Sequence, residues 1–472
     1  MTKTPAIIYT TEQQAAIEKL VNLITNRAAT EIRLVGSAGV GKSTIIREII
    51  SQLEKLDEAI TIVAPTHKAC KVAKKFINSN RDEEEDGIYI PITLAKALGK
   101  IPDVKVQDGK RVFVQKSKVK PLSGVIIIDE ASMISAEDLE KLNNLLTPDA
   151  IILYILDPIQ LPPIEAKGDI PPVYELKMPE ATLTKTMRFY SDSNIGKITS
   201  IMRNKKIDLS DASWKRFNKF FDSAEDIKVY TDETLFLKSL INDMNKMDWQ
   251  NNPDSIRCLS YTNRQVDKYN DYVKLEYFGN DSSSPISGEV FIAKRPFKRL
   301  TPDSTPNEIF AAKRPAQFIQ NGEEFTTLEL IGTDTFIHPK YLNLPIDFER
   351  WSCLKEDGTQ FVANLVCRKS ESNFNKIDAD LTEKALNAKS YKGKKIAWAK
   401  RYSFAECFDN CKRAYALTVH SSQGSTFDHI YFDMSSMLGS YNSKRIRRAL
   451  CYTAMTRPTT SMSLYIPSIY LR

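Results

Sequence analysis

Between positions 32 and 44 the chain reads Ile-Arg-Leu-Val-Gly-Ser-Ala-Gly-Val-Gly-Lys-Ser-Thr, and these residue types at this spacing suit the holding of a triphosphate. Gly36, Gly41, Lys42 and Ser43 satisfy the P-loop pattern. Gly36, Ser37, Ala38, Gly39, Val40 and Gly41 form a turn whose backbone N–H groups can close on phosphate oxygens, because glycine tolerates the backbone angles involved. Lys42 can reach the β- and γ-phosphates, the Ser43 hydroxyl can ligate Mg2+, and Thr44 completes the set at the start of a helix. About ninety residues further on, Val-Ile-Ile-Ile-Asp-Glu at 125–130 adds paired acids. Asp129 suits a second hold on Mg2+, and Glu130 suits the positioning of an attacking water. Gln160 can touch the γ-phosphate and report its loss, and Arg188 is a candidate cationic contact to the same group. Gln13, just upstream of the P-loop, carries an amide able to donate to and accept from an adenine edge. Each has a plain alternative: a glycine-rich turn with an exposed lysine, acids after a strand, a solvent-facing glutamine. Their order along one chain favours the chemistry.

The elements that must position these groups are legible as patterns. Thr10 or Thr11 can cap a first helix with Ile17, Leu20, Val21 and Ile24 on one face. Apolar runs at 32–35, 60–64, 125–128 and 151–156 read as buried strands of a parallel sheet. Pro65, Thr66 and His67 follow one such run, at the strand edge where open α/β sheets bind ligands, and Thr93 is a further candidate contact. Residues 92–122 break the α/β rhythm. Val104–Gln107 and Lys110–Val114 around Asp108-Gly109 predict a β-hairpin with a two-residue turn. Its outward side chains would be basic apart from Gln107 and Phe113, and it is either a surface decoration or a stacking platform for a base.

At 472 residues the chain calls for two to four domains. Hydrophobic residues at 42% and aromatic ones at 9% are those of a folded, water-soluble protein, with no signal peptide and no apolar run of membrane-crossing length. Seven scattered cysteines read as reduced intracellular thiols, and Cys407 with Cys411 lacks a second ligand pair for a metal site. The net charge of +7 permits a polyanion partner without demanding one. Local basic runs occur at 294–299, 392–401 and 444–448, and the acidic run 82–86 reads as a surface loop.

A second α/β unit opens at Ile256–Tyr261, followed by Thr262-Asn263, and resumes at 416–425 with Ala-Leu-Thr-Val-His-Ser-Ser-Gln-Gly-Ser. A strand at His429–Phe432, a helix from Arg448 to Met455 ending at Thr456-Arg457, and a strand at Met462–Ile466 complete it. It has no P-loop of its own, so it can serve the first unit's nucleotide only across a cleft. Between its halves lies a β-rich insertion, expected to be a small barrel. Its cues are strands at 324–331 and 360–366, a hairpin turn at Asn321-Gly322 and an extended loop over 300–318. Trp398, in a basic stretch of the insertion, would either hold the hairpin or the path of a nucleic acid, or fill the barrel core.

Taken in order, the P-loop, Pro65-Thr66-His67, Asp129-Glu130, Asp157 with Gln160, Arg188, the Thr418–Gly424 block and Tyr452 with Thr456-Arg457 resemble the successive motifs of superfamily 1 helicases. The size, the hairpin and the β insertion are most similar to the B branch, which contains RecD and the Dda helicases of phages. The resemblance implies an α/β fold of two RecA-like P-loop domains, with a hairpin pin in the first and an SH3-like barrel in the second. The ranges would be 1–91 and 123–250 for the first, 92–122 for the pin, 251–284 and 412–472 for the second, and 285–411 for the barrel. It implies an ATP-dependent, Mg2+-requiring DNA helicase moving 5′→3′ on single-stranded DNA. Alternatives are a translocase that displaces bound proteins without efficient unwinding, an RNA helicase of the same superfamily, or a scaffold that binds ATP without turnover.

In this resemblance Lys42, Asp129, Glu130, Gln160, Arg188 and Arg457 are catalytic, Arg457 being an arginine finger from the second domain. Gln423 and Gly424 join the nucleotide site. Pro65, Thr66, His67, Thr93, Thr262, Asn263, Thr418 and His420 grip the strand, and Phe113 is the pin's aromatic tip. Partners would be single-stranded DNA, junctions of single-stranded and duplex DNA, and single-strand-binding or replisome proteins; the location would be the cytoplasm, and nothing demands more than one copy. Three positions depart from the family pattern: Leu156 replaces a glycine, Ala95 stands where relatives often have a DNA-contacting histidine, and Pro458 follows Arg457 in place of a small residue.

Overall fold

The computed structural model describes residues 8–79, 88–162, 170–185, 193–203, 225–279, 284–295, 297–312, 316–440 and 443–470. Six strands form one parallel sheet in the spatial order Ile92–Thr93, Ile60–Ala64, Val125–Ile128, Ile151–Leu156, Glu31–Gly36, Glu180–Leu183. The continuous apolar runs are explained by cover on both faces. Val125 and Ile127 enter a core with Ile17, Leu20, Ile45 and Ile49 from the first two helices, while Ile126 and Ile128 enter another with Leu94, Leu98, Leu139 and Leu142. Burial of each such side chain contributes about 1.5–3 kcal/mol. Register places Val35 beside Leu156 and Ile128 beside Tyr154, so the strands that end in Gly36, Asp157 and Asp129 finish side by side.

A second parallel sheet runs Ala416–Thr418, Ile256–Ser260, Phe427–Asp433, Pro458–Tyr465, Ile227–Tyr230. Its outer strand, Ile227–Tyr230, corrects the expected boundary near residue 250, because it pairs with Met462–Tyr465 of the second unit. The helices Asn194–Arg203 and Glu233–Lys246 also bury Ile195, Ile198, Phe236 and Leu240 in that unit's core. A four-residue strand with one apolar face is too weak a local signal to show which sheet will take it. The last strand begins at Pro458, four residues earlier than expected; proline is tolerated as the first residue of a strand, where no ladder donor is lost.

Between them the insertion is a five-stranded antiparallel sheet ordered Gln360–Val366, Ile346–Lys355, Glu324–Phe336, Val290–Ala293, Cys411–Arg413. Two expectations fail here. The 300–318 segment contains the helix Pro306–Ala311, closed by a reciprocal Thr305–Glu308 cap, and a short strand, Ala316–Ile319, paired with Phe297–Arg299. Asn321-Gly322 is a turn but not a hairpin, since the strands on either side pair with other partners. The basic stretch 392–401 lies in the second of two helices, Glu371–Leu386 and Tyr391–Ala405. Ile377, Leu381 and Ala385, four residues apart, bury one face of the first. Glu324 ties the insertion to both units: it accepts from Lys68 at 2.9 Å and from the fully buried Arg257 at 3.0 Å. Burial raises its pKa, yet Arg257 and Lys68 outweigh this and hold it at about 2.

The hairpin is present with different bounds, Lys100–Val104 against Arg111–Gln115. Its connection spans residues 105–110, closed by Lys105 N–H to Lys110 O and Gly109 N–H to Lys105 O, both at 2.8 Å. The expected two-residue turn would need left-handed backbone at both Asp108 and Gly109; only Gly109, at φ 69°, has it.

Candidate nucleotide and nucleic-acid sites

The P-loop joins the strand Glu31–Gly36 to the helix Lys42–Glu54, with Gly39 and Gly41 at φ 78° and 86°. Lys42 Nζ donates to Gly36 O at 2.7 Å and Ser37 O at 3.1 Å, and the Ser43 hydroxyl is exposed at the helix start. Gln13 is buried. Its Oε1 accepts from Thr10 N–H at 3.0 Å and its Nε2 donates to Val40 O at 3.2 Å. A Cβ on Gly41 would lie 2.4 Å from that Nε2. Gln13 therefore braces the loop from behind; its carbonyl oxygen caps its own helix, and an adenine contact would fall to the remaining amide hydrogen.

Glu130 adopts left-handed backbone, φ 49°, and opens the short turn Ala131–Met133, while its N–H donates to Asp129 Oδ1 at 2.9 Å. Burial raises both carboxyls. Glu130 reaches about 7, with the Asp129 charge adding to burial and Lys42 and Arg457 opposing. A half-buried acid pair facing a lysine, with a hydroxyl at Ser43 and glycine-lined N–H groups nearby, is a donor set that fits a metal–triphosphate.

Among the contacts by which the second unit reaches this site is a tyrosine hydroxyl. Tyr452, on the helix Lys444–Met455, donates to Asp157 Oδ2 at 2.8 Å and accepts from the P-loop Ala38 N–H at 2.9 Å. Asp157 Oδ1 accepts from Ile159 N–H, Gln160 is buried next to it, and Arg203 donates to Ala38 O at 3.3 Å. Ala38 and Leu161 are themselves packed into the second unit's core. Arg457, one turn beyond Tyr452, is buried and held by Thr453 O at 2.9 Å, Ser425 O at 3.1 Å and Thr456 Oγ1 at 3.0 Å, with Glu130 and Asp157 near enough to act on its charge. Sequence reading quoted Tyr452 only as part of a block and passed over Arg203; the tyrosine's place in that block was the available signal. Tyr452→Phe would leave a buried carboxylate oxygen and a P-loop N–H unpaired, a loss of about 1–3 kcal/mol. We expect DNA-stimulated ATP turnover to fall by about tenfold or more, with each unit still folded; steady-state kinetics beside a thermal melt checks this.

Gly424, at φ 78°, faces the helix His67–Ile77, where an added Cβ would lie 4.0 Å from Ala69 Cα. The Gln423–Gly424 turn thus meets the first unit beside Thr66, and Gln423 Nε2 is buried without a partner among the described residues. Arg188 lies outside the described residues.

The remaining candidates fall at strand ends in the two sheets. Thr66, Thr93 and Thr262 each follow a parallel strand and cap the next helix, accepting from Ala69, Lys96 and Gln265 N–H; Thr418 caps a turn through Ser421 N–H. Ala64 pairs with Thr93 and Ser260 with Thr418, so the threonines come in neighbouring pairs, one pair per sheet. An N-cap hydroxyl spends an acceptor and keeps its hydrogen free to donate, beside the positive end of a helix. Pro65 is half-buried and His67 exposed at the same edge. Asn263 Oδ1 accepts from Lys412 at 3.3 Å, and His420 lies 6.3 Å from the Tyr261 ring, a neighbour that sequence reading missed.

Phe113 is 61% exposed, mid-strand and opposite Pro102. It is not at the turn, because the turn is docked elsewhere. Trp398 packs on that turn: it is buried, donates to Val106 O at 3.1 Å, and fills the space a Cβ on Gly109 would need. Tyr402 donates to Gly109 O at 2.6 Å, and Arg111 pairs with Glu406.

Comparison with known proteins agrees with this layout. The AAA domain family matches residues 8–220, and the UvrD-like helicase C-terminal domain matches residues 413–465. An uncharacterized protein of Acanthamoeba polyphaga mimivirus is 24% identical over 97% of this chain and 100% of its own length. ATP-dependent DNA helicase dda of Enterobacteria phage T4 is 24% identical over 95% of this chain and 97% of its own. RecBCD enzyme subunit RecD of Buchnera aphidicola subsp. Schizaphis graminum is 22% identical over 92% and 70%. The fold is shared with a solved structure of Bacteroides Pif1 bound to ssDNA, at a TM-score of 0.50 and 16% identity over 99% of this chain and 95% of that one. No helix among the described residues is long and apolar enough to cross a membrane. In its ordered motifs, and in relatives that span nearly its whole length, the chain is similar to the superfamily 1B helicases Dda and RecD.

Proposed function

We propose that the chain is an ATP-dependent DNA helicase that moves 5′→3′ along single-stranded DNA and separates duplex ahead of it. The observation that carries this reading is the Tyr452 hydroxyl, which joins the P-loop of one unit to the helix that ends just before Arg457 in the other. Gly36–Gly41 N–H groups and Lys42 would hold the phosphates, and Ser43 and Asp129 would hold Mg2+, which when bound screens the developing phosphate charge. Glu130 is placed to orient the attacking water and to take its proton. Arg457 completes the site only when the units are together, so nucleotide favours closure and its loss releases it.

Closure and grip are linked because the strand-end threonines are divided between the same two units. Thr66, Thr93, Thr262 and Thr418, with His67, Asn263 and His420, would hold phosphates and sugars without reading sequence. Tyr261 beside His420 offers a stacking surface. If the two pairs of threonines alternate their hold, each ATP moves the strand one way. The hairpin reads as the separating pin and the antiparallel insertion as an SH3-like domain that backs it, with Trp398 and Tyr402 bracing its turn.

Steady-state ATPase with and without single-stranded DNA, paired with unwinding of substrates carrying a 5′ or a 3′ overhang, tests the reading. We expect strong stimulation by DNA and unwinding from the 5′ overhang alone. Stimulation without unwinding would favour a translocase, and preference for RNA an RNA helicase. Phe113→Ala should reduce unwinding about tenfold more than it reduces ATPase, from the loss of one base-stacking contact worth about 1–3 kcal/mol. Equal loss of both would argue against a wedge.

A further inference from the structure

The insertion meets the second unit at a pair of lysines. The strands Val290–Ala293 and Cys411–Arg413 are antiparallel, with Ile292 opposite Lys412, and Lys294 N–H extends the ladder to Asn410 O at 2.8 Å. Residues two apart on a strand share a face, so Lys294, Ile292 and Lys412 point to one side. Ile292 is buried there in the second unit's core, and Lys412 Nζ lies 3.3 Å from Asn263 Oδ1, in the first turn of the helix capped by Thr262. The exposed Lys294 lies on the same face, near enough for its charge to act on Lys412. The carboxylate that reaches Lys412 is Asp267, at 3.8 Å, with its side chain 61% exposed against 18% for the lysine. Among the described residues this one exposed carboxylate faces two lysines, which leaves an excess of positive charge, and the N-terminus of the Asn263–Glu276 helix adds to it.

Adjacent like charges on a half-buried pair need an anion to make them favourable. Burial, and then Lys294, push the Lys412 pKa down to about 8, which marks the arrangement as one short of a counter-ion. The pair stands next to Thr262 and Asn263, and Thr418 lies on the strand neighbouring the one that leads to them. We propose that Lys294 and Lys412 clamp one backbone phosphate of the bound single strand, which makes the base of the insertion part of the DNA track. This rests on the DNA-helicase reading. The chemistry is that of a phosphate oxyanion, and a phosphodiester fits better than free phosphate because the strand-end hydroxyl of Thr262 lies beside the pair.

The test is the salt dependence of oligo(dT) binding by the full chain and by the Lys294→Gln/Lys412→Gln variant. Each phosphate contact with a single strand contributes about 0.7 to the slope of log K against log salt. The variant should lose about 0.7 of that slope and bind about tenfold more weakly at low salt, and Lys294→Arg/Lys412→Arg should keep the slope. The single Lys294→Gln change, at an exposed position, should lose part of the slope even if the double variant folds poorly. Unchanged slope with weaker binding would mean a structural brace and overturn the clamp. Binding of inorganic phosphate at the pair, with the DNA slope unchanged, would overturn it in favour of a free-anion site. If the wild-type chain bound no single-stranded DNA at all, the helicase reading itself would fall, a result distinct from both.

Discussion

Replacing Arg457 with alanine is expected to lower DNA-stimulated ATP turnover by about 10³-fold or more, the effect typical of an arginine that stabilises a transferring phosphoryl group. The guanidinium is poised for this. Thr453 O, Ser425 O and Thr456 Oγ1 hold three of its nitrogens, so its direction is set by its own unit before any nucleotide arrives. The Glu130 carboxyl across the cleft is close enough for its charge to act on Arg457, and their shifts are mutual. Arg457→Lys should recover only a small part of the rate, because an ammonium lacks the planar fork that can be braced and still donate. Steady-state ATPase at saturating single-stranded DNA measures both. A loss of less than tenfold in the alanine variant would mean that the second unit does not complete the site.

Lys42→Ala should abolish measurable turnover, a fall of at least about 10³-fold, while single-stranded DNA binding changes only a few-fold. Lys42 spans Gly36 O and Ser37 O at the mouth of the loop and lies close enough to Asp129 and Glu130 to oppose the rise of their pKa values. Removing it takes away a phosphate ligand and leaves the acid pair without its nearest opposing charge. The strand-end threonines lie outside the P-loop, which is why binding and hydrolysis should part company. ATPase and fluorescence anisotropy on the same preparation read the two, and retained turnover would refute the assignment of the P-loop.

How much was legible differs between the two units and between local and distant features. The strands at 60–64, 125–128 and 151–156 lie where their apolar runs put them, because a short apolar run rich in β-branched residues suits a parallel strand covered on both faces. Thr66, Thr93 and Thr262 were legible as candidate contacts at strand ends, whereas their capping of the next helix depends on where that helix starts, which the sequence reading did not place. Tyr452 was not, since its partners Ala38 and Asp157 are 414 and 295 residues away and no periodicity links them. Ile227–Tyr230 was too short to declare its sheet, and Asp108-Gly109 promised a tighter turn than one left-handed residue can make. The helix Glu371–Leu386 carries an i, i+4 signal in Ile377, Leu381 and Ala385, but one short apolar stripe is weak beside the β cues that surround it. Gln13 shows a subtler limit. Its place before the P-loop was readable, whereas the brace it makes with Val40 depends on a backbone shape that only the folded loop supplies.

The central claim is that one nucleotide site is built from both units, so that closing on ATP and gripping the strand are a single movement. It is tested most directly by the structure of a complex with single-stranded DNA and a non-hydrolysable ATP analogue. The account predicts the Arg457 guanidinium within hydrogen-bonding distance of the γ-phosphate, with Lys42 on the same group and the strand lying across Thr66, Thr93, Thr262 and Thr418. An Arg457 still turned wholly into Thr453, Ser425 and Thr456, with solvent between it and the phosphate, would contradict it.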